Sequence, residues 1–361
     1  MPKKLLAISF LFFLLLSCVD EIDFETNKGE IDRLVIDGRI VELIEEDLNY
    51  AEVNVQKVFN FESSSRSTVS VEEVSITNGV QTLELTQTGL GTYGLRFTNQ
   101  EYDLNQGLEH ALYVKTLDGR EYESMKVSKS TVSIPSELAV EIVPSTVIDS
   151  LGLTSIENQA VLSISSPLIP TENNALLWEA TQTFQVSTTQ NRKCYVTEQI
   201  VTDKIMLLDT RDLNLQQAED ILLFNTPVSK KFREGIYFSI RQFSLDQAIT
   251  TNLRNINSLL SQTNTIFNDP LHKLQSNINN VADPEEDVFG FFYVSQAIDI
   301  RVKVDSVRTY CARTAAQGGT DLEADCPLDP RTFRPANGSD PLCCDCRTVP
   351  GVMTEKPEWW R

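Results

Sequence analysis

The sequence predicts a mainly β protein: two immunoglobulin-like or transthyretin-like β-sandwich domains, the second with helical insertions and a Cys-rich C-terminal tail. Three observations support this. Short segments from Arg33 onward alternate apolar and polar residues. Asn-Gly and Asp-Gly pairs sit between them, and both tolerate the positive φ of a tight hairpin turn. The 361-residue length, at about 150 residues per domain, suggests about two domains. Hydrophobic residues make up 41% of the chain, enough to build a core that a disordered chain lacks. Lys and Arg number 31 against 51 Asp and Glu, a formal net charge of -20. That balance argues against nucleic-acid binding, which needs excess cations to displace phosphate counterions. It also argues against docking on anionic lipid through a polybasic patch.

The elements follow in order. Lys3 and Lys4 precede an apolar run, Leu5 to Leu16, broken only by Ser9. The run is shorter than the roughly 20 residues of a membrane span but fits the apolar stretch of a secretory signal. Leu15-Leu16-Ser17-Cys18 follows and resembles a bacterial lipobox. Residues 1–17 then form a lipoprotein signal peptide, and Cys18 becomes the acylated N-terminus, carrying chains such as palmitate. Two or three acyl chains anchor stably, since each buried CH2 contributes about 0.8 kcal/mol. An ordinary signal peptide with a chance cysteine is the alternative. The tether 18–32 opens with Val19-Asp20-Glu21-Ile22-Asp23-Phe24-Glu25. It resembles a surface-export signal of Bacteroidota lipoproteins, against the plainer reading of a solvated spacer.

The first sandwich spans 33–130. Its expected strands are Arg33–Val41, Ala51–Phe59, Val71–Thr77, Val80–Thr86, Gly91–Phe97, Glu109–Thr116 and Arg120–Val127, with turns at Asn78-Gly79 and Asp118-Gly119. Serine-rich Phe61–Thr68 reads as a loop. A proline-bearing linker, 131–144, leads to a second β domain, 145–311, with strands Ala160–Ser165, Leu176–Val186, Cys194–Val201, Val288–Ser295 and Ile300–Val307. Leu213, Leu215, Ala218, Ile221 and Leu222 suggest a short amphipathic helix. Ser244 and Gln247 make a capping-box pattern before a longer helix. Its stripe, from Leu245 through Ile249, Leu253 and Ile256 to Leu260, is expected to pack on its own domain. Asn264–Pro284 reads as a long loop. The tail, 312–361, is rich in Pro and Cys and is expected to pack on the second domain.

No residue set identifies a reaction. The two histidines, His110 and His272, lack metal-ligand spacing, and no HExxH, GxSxG, Walker A or dinucleotide glycine pattern occurs. No catalytic residue, metal ligand or cofactor is assigned. His110, at a strand start, is expected at the surface or partly packed. The acidic clusters Glu45-Glu46-Asp47 and Asp283–Asp287 read as solvated loop charges, with cation binding or a glycosidase pair as the alternatives. Beyond Cys18, the cysteines Cys194, Cys311, Cys326, Cys343, Cys344 and Cys346 are even in number. An exported chain keeps disulfides, so disulfides are preferred to a zinc site. Adjacent Cys343 and Cys344 are expected to reach different partners.

Several segments together resemble an uncharacterised family of Bacteroidota outer-membrane lipoproteins, a domain of unknown function encoded beside SusC-like TonB-dependent receptors. They are Leu34–Ile40, Gly91–Phe97, Leu112–Ser124, Leu176–Phe184, Arg211–Leu223, Ile236–Ala248, Asp283–Ala297 and the ending Lys356-Pro357-Glu358-Trp359-Trp360. The resemblance implies a location and a partner class, not a reaction. The expected protein is a lipid-anchored subunit facing the cell exterior, a non-catalytic accessory or ligand-capture partner of a SusC-like outer-membrane β-barrel. The alternatives are a structural subunit of an extracellular canopy on a biogenesis or secretion machine, and a carboxylate-dependent hydrolase.

Overall fold

The computed structural model describes residues 33–44, 48–57, 69–105, 107–130, 136–148, 151–168, 175–188, 192–210, 217–261, 276–305 and 341–361. In chain order the strands begin with β1 (Leu34–Leu43), β2 (Asn49–Lys57), β3 (Val71–Thr77), β4 (Thr82–Glu84), β5 (Thr86–Gly89) and β6 (Thr92–Phe97). Next come β7 (Glu109–Thr116), β8 (Glu121–Ser124), β9 (Val127–Ser128), β10 (Glu137–Ile148) and β11 (Thr154–Pro167). β12 (Ala175–Ser187), β13 (Lys193–Ile200), β14 (Met206–Asp209), β15 (Gln217–Pro227) and β16 (Ile236–Leu245) precede the helix α1 (Gln247–Ser261). The chain closes with β17 (Ile278–Asn280), β18 (Phe292–Val304), the short helix α2 (Pro341–Asp345) and β19 (Val352–Met353). The protein is mainly β, as its alternation and turn residues predict. Gly79 and Gly119 adopt φ of 85° and 88° in the two expected turns.

One long sheet, β19-β13-β12-β16-β18-β1-β2-β6-β5, organises the molecule, with β14 added beside β12. Its strands obey the period of two. In β1, Leu34, Ile36 and Ile40 are buried on one face, while Val35, Asp37 and Arg39 point to the other. Two smaller sheets cover the first face side by side. The sheet β17-β8-β7-β3-β4 closes a core that joins Ile36, Val53 and Phe292 to Ile76, Val114 and Tyr122. The sheet β10-β11-β15 closes a second core, joining Trp178, Phe184 and Phe238 to Leu162, Ile164 and Phe224.

Two sandwich layers are therefore present, but the expected boundary between separate domains is not. β1 runs parallel to β18, with Gly38 opposite Phe292, so the first strand of the chain is continuous with the second half. The segment expected as linker 131–144 is a strand from Glu137 onward. β17 lies inside the stretch expected as a loop, and Val288–Ser295 and Ile300–Val307 merge into the single strand β18.

The expected helix around residues 213–222 is a strand from Gln217 onward, and Leu213 and Leu215 lie outside the described residues. Its pairing with β11 shifts register twice, and Asp220 sits at φ 50° within the second shift, between Ile221 and Ala218. An extra residue at such a bulge turns a period of two into apparent steps of three, which is how Ala218 and Ile221 mimic a helical face. For α1 the expected cap is two residues early. Ser244 is a buried residue of β16, and the Asp246 carboxylate accepts the Ile249 N–H at 3.0 Å. Asp and Ser are comparable caps, so sequence alone does not choose between them.

β10 and β11 pair as a long hairpin, Glu137–Ser165 to Ile148–Thr154, but β15 supports only the part of β11 from Gln159 onward. Beyond that point the hairpin projects as a two-stranded arm. The face that buries Leu162 and Ile164 in the body continues along it through Ile156 and Ile148, both exposed, with Leu151 and Leu153 exposed at the tip. A two-stranded ribbon carrying an apolar face is marginal by itself.

Candidate functional site: a cleft on the open face of the long sheet

The second face of the long sheet carries a cleft of about 720 Å³. Its floor comes from β1, β2, β12 and the run into β18, and contributes Asp37, Arg39, Glu52, Asn54, Glu179 and Tyr293. Its walls are apolar. α1 presents Ile249, Leu253, Ile256 and Leu260, and the β13–β14 connection presents Ile200, Val201 and Ile205. Asn257 of α1 fixes that connection by exchanging hydrogen bonds with the Ile205 backbone at 2.7 and 2.9 Å. The volume lies within the range of small-molecule sites, about 300–1,000 Å³.

Arg39 organises the floor. Its guanidinium reaches Glu179 at 2.5 Å and Glu52 at 3.5 Å, and lies over the rings of Tyr50 and Phe243. Glu179 belongs to β12, three places from β1 in the sheet. Adjacent strands are about 4.8 Å apart, so these backbones are separated by up to roughly 14 Å, and the two long side chains reach toward each other across the floor. Burial works against the charge on Arg39, and Tyr293, Tyr50 and Glu179 outweigh it, so its pKa rises and it stays cationic. Burial likewise pushes the Tyr293 hydroxyl up to about 12. Arg241 is held charged chiefly by paired hydrogen bonds to Asp299 at 2.7 and 2.9 Å.

Asp37 is different. It has no cationic partner among the described ion pairs and is open to the cleft, yet protein surrounds it on its other sides. That separation from bulk water raises its carboxyl pKa, and the Phe291 N–H partly offsets the effect. Gly290 makes room at this point, because a Cβ there would stand 2.1 Å from the Ile36 carbonyl oxygen and 2.9 Å from Asp37 Oδ1. Gly38 faces the other way, where a Cβ would stand 2.9 Å from Leu112 in the first core.

The residues singled out from the sequence lie elsewhere. Cys18, Cys311, Cys326, His272 and Glu45–Asp47 are outside the described residues, as is the side chain of Cys343. Cys194 and Cys346 form a disulfide that ties α2 and the tail to β13. Cys344 is also disulfide-bonded. The tail adds β19 to β13 and buries Trp360 against Tyr195 and Tyr237, at ring-centroid distances of 5.0 and 4.8 Å. In the cluster Asp283–Asp287, Glu286 is not a solvated charge. It accepts from Tyr122 at 3.0 Å and from Asn280, and so links β8 to β17. Among the described residues no group of His, Cys, Asp and Glu is placed to hold a metal. No described helix is long and apolar enough to cross a membrane.

His110 is fully buried, not at the surface. Nδ1 is hydrogen-bonded to the Tyr102 hydroxyl at 2.9 Å, and Nε2 has no partner. Burial, aided by Lys129 and opposed by Asp103, lowers its pKa from 6.5 to about 4. The unfolded chain therefore binds the extra proton first as pH falls. Stability is fully present above about pH 6.5 and declines toward pH 4. The wild type should lose about 2 kcal/mol more than His110→Gln between pH 7.5 and 5, measured by urea unfolding. Equal losses would show that His110 binds its proton in the folded protein as readily as in the unfolded chain, so that burial does not lower its pKa.

No cleft residue was identifiable as a site from sequence. Asp37, Arg39, Glu52 and Glu179 come from three separated strands. The available signal is local: charged residues interrupt the outward-facing positions of β1, which are otherwise Val35, Val41 and Leu43.

The architecture defines a β-sandwich protein with a long shared sheet and an open-face cleft. The sequence profile described as Domain of unknown function (DUF4249) matches residues 19–301, and the chain belongs to that family. Comparison with curated proteins finds no match.

Proposed function

We propose that the chain is a surface-exposed, lipid-anchored outer-membrane subunit, a non-catalytic accessory or ligand-capture partner of a SusC-like TonB-dependent β-barrel. The ordered Lys3-Lys4, Leu5–Leu16 and Cys18 support the anchor. The observation that carries the partner is the β10–β11 arm. Its exposed Ile148, Leu151, Leu153 and Ile156 extend a core face beyond the core. An apolar protein surface is a better cover than lipid, because the chain has a net charge of -20 and Glu157 lies on the arm. Burying each Ile or Leu contributes about 1.5–3 kcal/mol, against association costs of at least about 4 kcal/mol. The arm alone gives modest affinity. Anchoring both partners in one membrane raises their effective concentration and makes the contact stable.

Purification from native membranes in mild detergent should retain a stoichiometric barrel. Cys18→Ala should release the chain from membranes. Ile148→Ser with Ile156→Ser should leave the chain folded and anchored but free of the barrel. A chain that elutes alone after cross-linking in cells sinks this reading. A hydrolase is the second reading, favoured by Asp37, Glu52 and Glu179 in one cleft. Turnover of a glycoside or ester that Asp37→Asn abolishes would establish it.

A further inference from the structure

The cleft is rich in acceptors. Arg39 is the one cation on its floor, and it is shared between Glu179 and Glu52. Asp37 adds a third carboxyl group with no cationic partner among the described ion pairs. The floor therefore carries excess negative charge, and Lys204 belongs to the β13–β14 connection at the wall. From the helix side, Asn252 is 5% exposed, lines the cleft, and has no hydrogen-bond partner for Oδ1. A buried acceptor left unpaired is costly, by about 1–3 kcal/mol, and a donor that reaches it as the neighbouring α1 side chains shift would satisfy it. Around this acceptor set the walls are apolar, with Leu253 and Ile256 of α1 and Phe291 among the lining residues.

We infer that the cleft binds a small molecule with an apolar body and a cationic, hydrogen-donating head, the head seated among Asp37, Glu52 and Asn252 and the body lying along α1. A primary ammonium fits this description because it presents three donors and no acceptor. A carboxylate or phosphate head would meet like charge and an unpaired acceptor. This inference goes beyond the accessory reading and does not rest on it, because it concerns the isolated chain.

The test uses three probes with the same body: octylammonium, octanol and octanoate, titrated calorimetrically into the purified protein at physiological salt. Octylammonium should bind about tenfold or more tightly than octanol, and octanoate should be weakest. Asp37→Asn keeps an acceptor for the Phe291 N–H. It should reduce octylammonium affinity about tenfold and leave octanol unchanged. If that variant does not fold, Asn252→Leu tests the same head from the helix side and should also weaken octylammonium selectively. Octanoate binding as tightly as octylammonium, or octylammonium affinity unchanged in the folded variants, overturns the inference. Absence of binding by all three probes also overturns it, while barrel co-purification continues to test the accessory reading separately.

Discussion

Gly290→Ala should destabilise the protein by at least about 4 kcal/mol, enough to prevent accumulation of folded chain. Gly290 adopts φ 94°, and an added Cβ would lie 2.1 Å from the Ile36 oxygen and 2.5 Å from its carbonyl carbon. Both are backbone atoms of β1, so no side chain can rotate away. The Phe289 N–H donates to the Leu34 oxygen at 2.8 Å, and the Ile36 N–H donates to the Phe289 oxygen at 2.8 Å. The methyl group would have to separate the very strands whose pairing joins the two halves. Gly79→Ala is the control. Gly79 has a similar φ of 85° but nothing within 4 Å of its added Cβ, so only the conformational cost of about 1–2 kcal/mol applies. Urea unfolding of both variants checks the comparison. Similar losses at the two positions would show that the close approach at Gly290 is relieved.

Replacing Cys194 and Cys346 together with Ala should cost about 2–5 kcal/mol. The disulfide closes a sequence separation of 152 residues, long enough for a large effect on the entropy of the unfolded chain. The tail's other attachments are the aromatic cluster of Trp359 and Trp360 with Tyr195 and Tyr237, the two residue pairs of β19 with β13, and the hydrogen bonds that Tyr237 exchanges with the Arg361 backbone at 3.0 and 3.2 Å. The double variant should lower the urea midpoint and expose Trp359 and Trp360 to quenchers. An unchanged midpoint would mean that the aromatic cluster alone holds the tail.

Much of the fold is legible because strands report themselves locally. Val53 and Val55, or Leu112 and Val114, mark a buried face by simple alternation, and the Asn78-Gly79 turn carries its own conformational signal. Sequence reasoning fails where the deciding neighbour is remote. The expected linker lacks core character because β10 is half-buried in its body and exposed along the arm. The domain boundary disappears because β1 finds its parallel partner some 250 positions away, and no periodicity in either segment announces that pairing. The cleft was missed for the same reason. Asp37 and Glu179 gain their meaning only from the strand order that brings β1 and β12 into one sheet, which single segments do not encode.

The parallel pairing of β1 and β18 also sets an order of events in folding. The first strand emerges early, but one of its two neighbours is made only after residue 292 has been translated. Until then β1 has a bare edge, and its core lacks Ile278, Val288, Phe292 and Val294. Closing so long a loop is entropically unfavourable before its contacts can form, and such non-local topologies fold slowly. The core around β1 is complete only when nearly the whole chain is available, and an unpaired strand edge in the meantime invites aggregation. An amino-terminal piece that stops before β18 would lack one side of its own core.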